Sequence, residues 1–357
     1  MKWEKVKLGN VTDSCLGKML DQNKNKGDYQ PYLANVNVRW GEFDLEDLPL
    51  MKFEESEQER YELKYGDLVI CEGGEPGRCA IWKEQIPNMK IQKALHRVRV
   101  HDCLDYRYLF YWFLLAGKTG ELDQYFTGAT IKHMPGQKLK EVVIDKPPLE
   151  IQHRIADILS AYDDLIENNQ KQIKLLKEAA QRLYKEWFVD LHFPGHENTK
   201  IVDGVPEGWR RGLLKELISV NYGKDHKKVP DDGNIPVYGS GGLMRKCNKS
   251  LFSGEAVLIP RKGSLNNIMY VDETFWTVDT MFYATMKQPH TAVFVYFFVK
   301  AFDMYSMNIG AAVPSMTTKI LDAMDVVIPD KETLEKFDKY AKAVSYTHLR
   351  AHETKAN

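Results

Sequence analysis

Two stretches of the chain place a short apolar run on each side of a glycine turn. The first reads GDLVICEGGEPGRCAIW at 66–82, and the second reads GEAVLIPRKGSLNNIMYV at 254–271. Apolar β-formers on both sides of glycines are typical of a β-hairpin, so we predict a hairpin in each stretch. An aromatic-rich run follows each hairpin, at 108–115 and at 294–302, and its density of large apolar side chains predicts a buried helix face.

The same order of motifs occurs twice along the chain. GATIKHM at 128–134 and GAAVPSM at 310–316 each precede a short apolar piece, EVVI or DVVI, and WEKVKLGNV at 3–11 parallels WRRGLLKEL at 209–217. The offset between copies is 206 at the tryptophans and 182 at Gly128 and Gly310, so the first copy carries about 24 extra residues. The acidic stretch 42–62 is the candidate insertion. We interpret the chain as two diverged copies of one β-rich domain.

Between the copies, residues 149–188 contain no glycine or proline and carry an apolar stripe at spacings of three, four or seven. This pattern predicts a long coiled-coil-like helix, about 55 Å at 1.5 Å per residue, that needs a partner helix. Asn169 lies on the stripe, where a buried polar residue typically fixes register. The predicted seam consists of Ile151, Ile155, Ile158, Tyr162, Leu165, Asn169, Leu176 and Leu183.

A second helix begins after residue 329, but its apolar pattern fails at Ser345. We expect a truncated helix over 330–344 followed by a non-native tail at 345–357, with an ordinary frayed terminus as the alternative. The expected divisions of the chain are a first domain at 1–148, the central helix at 149–188, a linker at 189–208, a second domain at 209–329, the second helix at 330–344 and the tail at 345–357.

Composition narrows the class of protein. A length of 357 residues predicts two or three domains, and 43% hydrophobic residues indicate a folded chain. No apolar run approaches the roughly 18 residues of a membrane span, and the start lacks a signal-peptide pattern. Five scattered cysteines without CxxC suggest neither a metal site nor disulfides, so we expect a reduced, cytoplasmic protein.

Net charge is −1, yet 209–270 contains 11 Lys or Arg against 5 Asp or Glu. This imbalance is compatible with a basic face on the second domain, or with ordinary mixed surface charge.

No catalytic motif fits the sequence well. GGEPGR at 73–78 lacks the Lys-Ser/Thr of a phosphate loop, and DKPPL at 145–149 lacks the polar residue and the aromatic that flank Pro-Pro in amino-methyltransferases. Asp330 with Glu353 and Lys355 matches a Mg²⁺-dependent nuclease centre only loosely. We therefore predict a non-enzymatic chain that binds no cofactor and no metal.

Ordered motifs over about residues 1–344 resemble the specificity subunit of type I restriction–modification systems. PPLEIQHRIADIL, LYKEWFVDLHFPG and DGVPEGW are similar to that family's spacer, and CEGGEPGRCAIW is similar to one type of its target-recognition domain. The resemblance implies an α+β fold with two β-rich target-recognition domains in pseudo-twofold repeat, joined by a long coiled-coil spacer helix. The second spacer helix departs from that pattern by its truncation, so the chain would dimerise through its seam or be a fragment.

The resemblance also implies a function. Each domain would read one half of a split sequence in double-stranded DNA, and two antiparallel helices would set the distance between the halves. Methyltransferase subunits and nuclease–translocase subunits would be the protein partners. Two alternatives stay open from the residues: a stand-alone DNA methyltransferase or nuclease, and an interaction scaffold that uses only its coiled coil.

Side chains that reach base edges are usually Arg, Lys, Asn or Gln. In the first copy we expect Asn35, Asn37 and Arg39 to alternate on one strand face beside Trp40. The other candidate DNA contacts in the first copy are Lys93, Lys132 and His133. In the second copy they are Tyr238, Ser240, Arg245, Lys246, Arg261, Lys262, Asn266, Asn267 and Ser315. For each of these residues, the alternative is an ordinary solvated side chain on the surface.

Overall fold

Strand pairing follows the same plan in the two halves of the chain. The structure, a computed structural model, describes residues 3–21, 25–307 and 315–353, without the side chains of 344–353. The chain divides into two units, Met1–Glu167 and Asn168–Asn357, and the boundary falls within the long helix.

The first unit is a β-rich body with one long helix beginning at its end. Its strands are β1 (Glu4–Lys7), β2 (Thr12–Leu16), β3 (Asp28–Leu33), β4 (Leu50–Phe53), β5 (Leu68–Cys71), β6 (Cys79–Ile81), β7 (Lys90–Ile91), β8 (Leu95–Val100) and β9 (Val143–Lys146). Its helices are α1 (Gln58–Tyr61), α2 (Tyr106–Thr119), α3 (Gly136–Glu141) and the start of α4 (Leu149–Tyr184).

The second unit contains the end of α4 and a larger sheet. Its strands are β10 (Ile201–Val202), β11 (Val205–Pro206), β12 (Arg210–Leu213), β13 (Ile218–Tyr222), β14 (Ile235–Gly239), β15 (Gly242–Cys247), β16 (Phe252–Pro260), β17 (Met269–Thr277), β18 (Met281–Met286) and β19 (Asp325–Ile328). Its other helices are α5 (Ala292–Lys300), α6 (Thr318–Asp322) and α7 (Lys331–Glu353).

The predicted repeat is confirmed by strand register. β1 pairs antiparallel with β9, and β12 pairs antiparallel with β19. Lys7 faces Val143 in the first unit, and Leu213 faces Asp325 in the second, so both sequence offsets are reproduced in space. Each unit thereby pairs a strand near its start with the strand that precedes its last helix.

Both predicted hairpins form within larger sheets. β5 and β6 belong to a sheet of order β2-β8-β5-β6, beside a second sheet β4-β3-β7. β16 and β17 belong to a sheet of order β13-β18-β16-β17-β14-β15. The aromatic runs form α2 and α5, whose buried residues include Phe110, Phe113, Phe294 and Phe298, so the prediction of buried helix faces is confirmed.

The acidic stretch 42–62 is held to the first unit by two buried lysines. Lys18 is paired with Glu57 at 2.5 Å, and Lys90 is paired with Glu62 at 2.7 Å. Both lysine side chains are almost fully buried, whereas the two carboxylates are partly exposed. Because a buried cation requires an anionic partner, these two lysines fix the stretch in place.

Helix α4 is 36 residues long, as the absence of glycine and proline predicts, and a π-helical segment follows it at Lys185–Val189. In the first unit its buried positions are Gln152 and Ala156, and in the second they are Ala180 and Tyr184. Gln152 ties the helix start to the domain, since its side chain accepts from the Asp105 amide (2.9 Å) and donates to the Pro147 carbonyl (2.8 Å).

Much of the predicted seam is exposed. Ile158 is 53% exposed, Tyr162 65% and Leu165 55%. Ile151 is exposed too, whereas Ile155, Asn169, Leu176 and Leu183 are half-buried. The stripe therefore exists on the helix, and its pairing with a second helix stays a prediction.

Helix α7 does not end near Val344 as expected; its backbone remains helical to Glu353. The segment 345–353 has no glycine or proline and contains good helix formers, so intrinsic propensity continues the helix without an apolar stripe. At its start, the Asp330 carboxylate accepts hydrogen bonds from the Thr333 amide (2.9 Å) and from Trp209 Nε1 (2.9 Å). The last residues, 354–357, lie outside the described part of the chain.

Candidate nucleic-acid interface

The repeated turn lies against the tip of the β5–β6 hairpin in the first unit. We call residues 72–78 tip 1. The Met134 amide donates to the Glu72 carbonyl (2.7 Å), and His133 forms an isolated bridge with Gly73. His133 also places its Nδ1 3.3 Å from the Glu72 carboxylate. The turn is closed by paired hydrogen bonds between Thr127 and His133, both 2.8 Å.

The second unit repeats this contact with different side chains. We call residues 261–268 tip 2. The Met316 amide donates to the Arg261 carbonyl (2.9 Å), and Ser315 forms a bridge with Lys262. Residues 310–314 of the second turn lie outside the described residues. Both units thus bring a hairpin tip and the end of the repeated turn together.

A third segment supports each tip. In the first unit the side-chain amide nitrogen of Asn35 donates to the Gly73 carbonyl (2.8 Å), and Arg78 donates to the Asn35 side-chain oxygen (3.0 Å). Gly74 adopts φ +77°, and a Cβ there would lie 2.5 Å from the Asn35 side-chain nitrogen. In the second unit Asn267 donates to the Ser240 carbonyl (2.8 Å). The tips are therefore held from two sides.

The expected strand at 34–40 is wrong. Asn35–Asn37 form a 3-10 turn, so Asn35, Asn37 and Arg39 do not alternate on one strand face. Asn37 is buried and caps its own loop, accepting from the Ala34 amide (2.9 Å) and donating to the Asp44 carbonyl (3.1 Å). Asparagine side chains compete in this way with strand hydrogen bonds, which is the physical reason for the difference.

Trp40 and Arg39 are also used within the protein. Trp40 donates its Nε1–H to Glu75 in tip 1 (2.7 Å), and its ring packs against the core of the first unit. Arg39 donates to the carbonyls of Val36 and Val38, although its side chain is about half exposed. Trp40 therefore lies at the interface mainly as a support for Glu75.

Two lysines of the first unit are exposed near tip 1. Lys93 lies in the turn between β7 and β8, and its neighbour Ala94 accepts from the Glu72 amide (2.8 Å). Lys132 lies in the repeated turn, with Nζ 3.9 Å from the Asp123 carboxylate and 5.7 Å from the Phe126 ring centre. Lys93 is thus next to Ala94, whose carbonyl binds Glu72, and Lys132 is next to His133, which contacts Gly73.

In the second unit the predicted residues divide into two groups. Ser240, Arg261, Lys262, Asn267 and Ser315 lie at or beside tip 2, and Lys262 is exposed. Asn266 also belongs to tip 2, but its amide bonds to Asp303 (3.0 Å) and its oxygen accepts from the Met304 amide (2.8 Å).

The second group serves the fold of the β14–β15 hairpin. Arg245 donates to the carbonyls of His226 (2.5 Å) and Val229 (2.9 Å), which fixes the preceding loop. Tyr238 donates to the Glu273 carboxylate (2.5 Å), and burial together with this acid raises the pKa of its hydroxyl. Lys246, half-buried, faces Pro236 across the hairpin.

Glu72, Glu75 and Arg78 are not among the residues predicted from sequence, because the pattern GGEPGR indicates only a turn. Glu75 accepts from Trp40 and from the Arg78 guanidinium (2.9 Å), and its side chain is 53% exposed. Charged residues inside a glycine-rich hairpin turn are the signal that could have indicated them.

Two repeats of one β-rich unit, each with a polar hairpin tip held by other segments, are joined by one long helix, so the chain is an internally repeated α+β protein. The family described as Type I restriction modification DNA specificity domain matches residues 1–178 and 206–349. The chain belongs to this family. It is a specificity subunit, the non-catalytic component of type I restriction–modification systems.

Individual relatives agree with this assignment. The chain is 25% identical over 313 residues to the type I restriction enzyme MjaIX specificity subunit of Methanocaldococcus jannaschii, covering 76% of this chain and 69% of that protein. It is 29% identical over 231 residues to the MjaVIII specificity subunit of the same organism, covering 63% of this chain but only 51% of that protein.

The fold is shared with a solved structure. The crystal structure of the type I restriction–modification system S subunit from M. genitalium superposes with a TM-score of 0.67 at 17% identity, covering 99% of this chain and 92% of that one. Within the residues described, no helix is long and apolar enough to cross a membrane.

Proposed function

We propose that this chain reads a bipartite sequence in double-stranded DNA. Tip 1, with Asn35, Lys93, Lys132 and His133, would contact one half of the target. Tip 2, with Ser240, Arg261, Lys262, Asn267 and Ser315, would contact the other. The supporting observation is that topologically equivalent tips display different hydrogen-bonding side chains, as a reader of two different half-sequences requires.

Helix α4 would set the distance between the two halves. Its 36 residues rise by about 54 Å at 1.5 Å per residue, and a continuous helix transmits a fixed separation. Half-site spacing in two-part DNA readers is a geometric consequence of this kind of rigid connection.

The exposed seam of α4 supports a second part of the proposal, that this helix packs against a partner helix. A helix with one apolar stripe buries that stripe against another helix in a stable assembly. Methyltransferase subunits and, in the complete complex, nuclease–translocase subunits would dock on the chain. The expected place of action is the cytoplasm.

One reconstitution tests the function. The chain is coexpressed with the methyltransferase subunits encoded beside it, and the complex is given a random duplex library and labelled S-adenosylmethionine. The proposal expects methylated duplexes that share two short sequence blocks separated by a gap of unspecified bases. The chain alone is expected to methylate none of them.

Other outcomes decide between the alternatives. Methylation by the isolated chain would identify a stand-alone enzyme. Association with the methyltransferase without any sequence preference would identify an interaction scaffold. The variant Lys5→Ala is the control for a change of surface charge, because Lys5 is a cation paired with Asp145 in the β1–β9 sheet and belongs to neither tip. It should leave the methylated motif unchanged.

A further inference from the structure

The two tips carry opposite charge. Tip 1 contains Glu72, Glu75 and Arg78, whereas tip 2 contains Arg261 and Lys262 and no acidic residue. A cationic tip is attracted to phosphates and to guanine edges. An anionic side chain at the same topological position is repelled by phosphates, so it requires a different partner on the DNA.

Glu75 is the carboxylate of tip 1 that is both exposed and fixed. Trp40 Nε1 donates to one of its oxygens (2.7 Å), and Arg78 donates to the other (2.9 Å). Arg78 is itself held by Asn35 and is only 17% exposed. Each carboxylate oxygen keeps a second acceptor site, so Glu75 presents an oriented pair of acceptors to solvent.

The glycines around Glu75 let the backbone of tip 1 pack closely against its neighbours in the protein. Tip 1 has glycine at 73, 74 and 77, and Gly74 and Gly77 adopt positive φ. A Cβ at residue 77 would lie 2.6 Å from Leu122, so the glycines are also needed for packing. With no side chain at three of its seven positions, the tip presents Glu75 as its main projecting acceptor.

We propose that Glu75 is a specificity-determining residue that accepts a hydrogen bond from the N4 amino group of a cytosine in the major groove. Cytosine presents only a donor there, whereas guanine presents two acceptors, thymine an acceptor and adenine one of each. A carboxylate therefore favours cytosine and is repelled by guanine and thymine. This inference rests on the proposed function and assigns one base preference to the first unit.

The test compares Glu75→Gln with the wild type in complex with the methyltransferase, on the same random duplex library. Glutamine keeps an oxygen that can accept from Trp40 or Arg78, but it adds a donor where the carboxylate has only acceptors. We expect the preference for cytosine at one position to fall about tenfold, with adenine gaining, because glutamine pairs bidentately with adenine. The other half of the motif is expected to stay unchanged.

Glu4→Gln is the matched control, since Glu4 is an exposed carboxylate of the same unit paired with Lys146 in the β1–β9 sheet. It should leave both halves of the motif intact. An unchanged motif in Glu75→Gln would overturn the inference while leaving the proposed function in place. Loss of both halves would also overturn it, since Glu75 would then serve the fold. A wild-type complex without a two-part motif would instead contradict the proposed function itself.

Discussion

The backbone amide of Met134 donates to the carbonyl oxygen of Glu72 over 2.7 Å, although the two residues are 62 positions apart in the chain. Met316 makes the same bond to Arg261 (2.9 Å). Both methionine side chains are buried, at 0% and 1% exposure. The repeated methionine is therefore a structural residue that attaches the turn to the hairpin tip, and the variable residues beside it are free to differ between the two units.

The first prediction concerns this attachment. Met134→Ala should lower the free energy of unfolding by about 2–5 kcal/mol, because it removes a fully buried side chain and leaves a cavity. Ile131→Ala, in the same turn but 64% exposed, should change it by no more than about 0.5 kcal/mol. Urea denaturation followed by tryptophan fluorescence measures both. Equal effects of the two variants would show that the turn is not attached as described.

The second prediction is a pH dependence of stability. Burial lowers the pKa of His96 below 6.5, and its Nε2 lies 2.9 Å from the Met134 carbonyl. The unfolded chain therefore binds a proton more readily than the folded one, so this contribution to stability is complete above about pH 6.5 and declines as the pH falls below it.

Urea denaturation at a series of pH values from neutral to mildly acid tests this expectation. His96→Gln should flatten the decline relative to the wild type, whereas His101→Gln, at an exposed histidine, should preserve it. A wild-type stability that rises on acidification through this range, with the slope removed in His96→Gln, would contradict the assignment.

The third prediction concerns phosphate contacts at tip 2. Lys262 is an exposed cation beside Ser315, and each lost lysine–phosphate contact should reduce the slope of log affinity against log salt by about 1. We expect Lys262→Ala to weaken binding of the complex to every duplex in similar proportion. Fluorescence anisotropy over a salt series measures this, with Lys5→Ala as the control. A slope identical to the wild type would exclude Lys262 as a phosphate contact.

The fourth prediction tests α4 as the connection that sets spacing. Seven residues inserted after Asn169 keep the apolar stripe on one face and lengthen the helix by about 10 Å. At 3.4 Å per base pair, the gap between half-sequences should grow by up to about three base pairs, with both halves unchanged. Sequencing of methylated library duplexes gives the gap directly, and an unaltered gap would mean that α4 does not set it.

Periodicity and repetition predicted the parts of the fold that depend on local pattern. The two hairpins, the aromatic helices and α4 follow from apolar spacing. The doubled motifs predicted a repeat, and the matching registers of β1–β9 and β12–β19 agree with it. The predicted end of the second helix, residue 344, lies before the observed end of α7 at Glu353. Helix propensity continues the helix there, although the apolar stripe does not.

The interface was predicted less completely, because its contacts join distant segments. Trp40 meets Glu75 across 35 residues, and Asn267 meets Ser240 across 27. Nothing local in the sequence distinguishes Arg245, which fixes a loop, from Lys262, which is exposed. Similarly, an asparagine that caps its own turn, such as Asn37, has the same sequence signature as one that could read a base.

The most direct test of the central claim is methylome sequencing of a host that carries this gene with its neighbouring methyltransferase gene, against the same host without it. We predict one new methylated motif made of two specified blocks separated by a fixed gap, which disappears when this gene alone is deleted. A continuous motif, or methylation that persists without this chain, would contradict the claim that the two tips read a bipartite target.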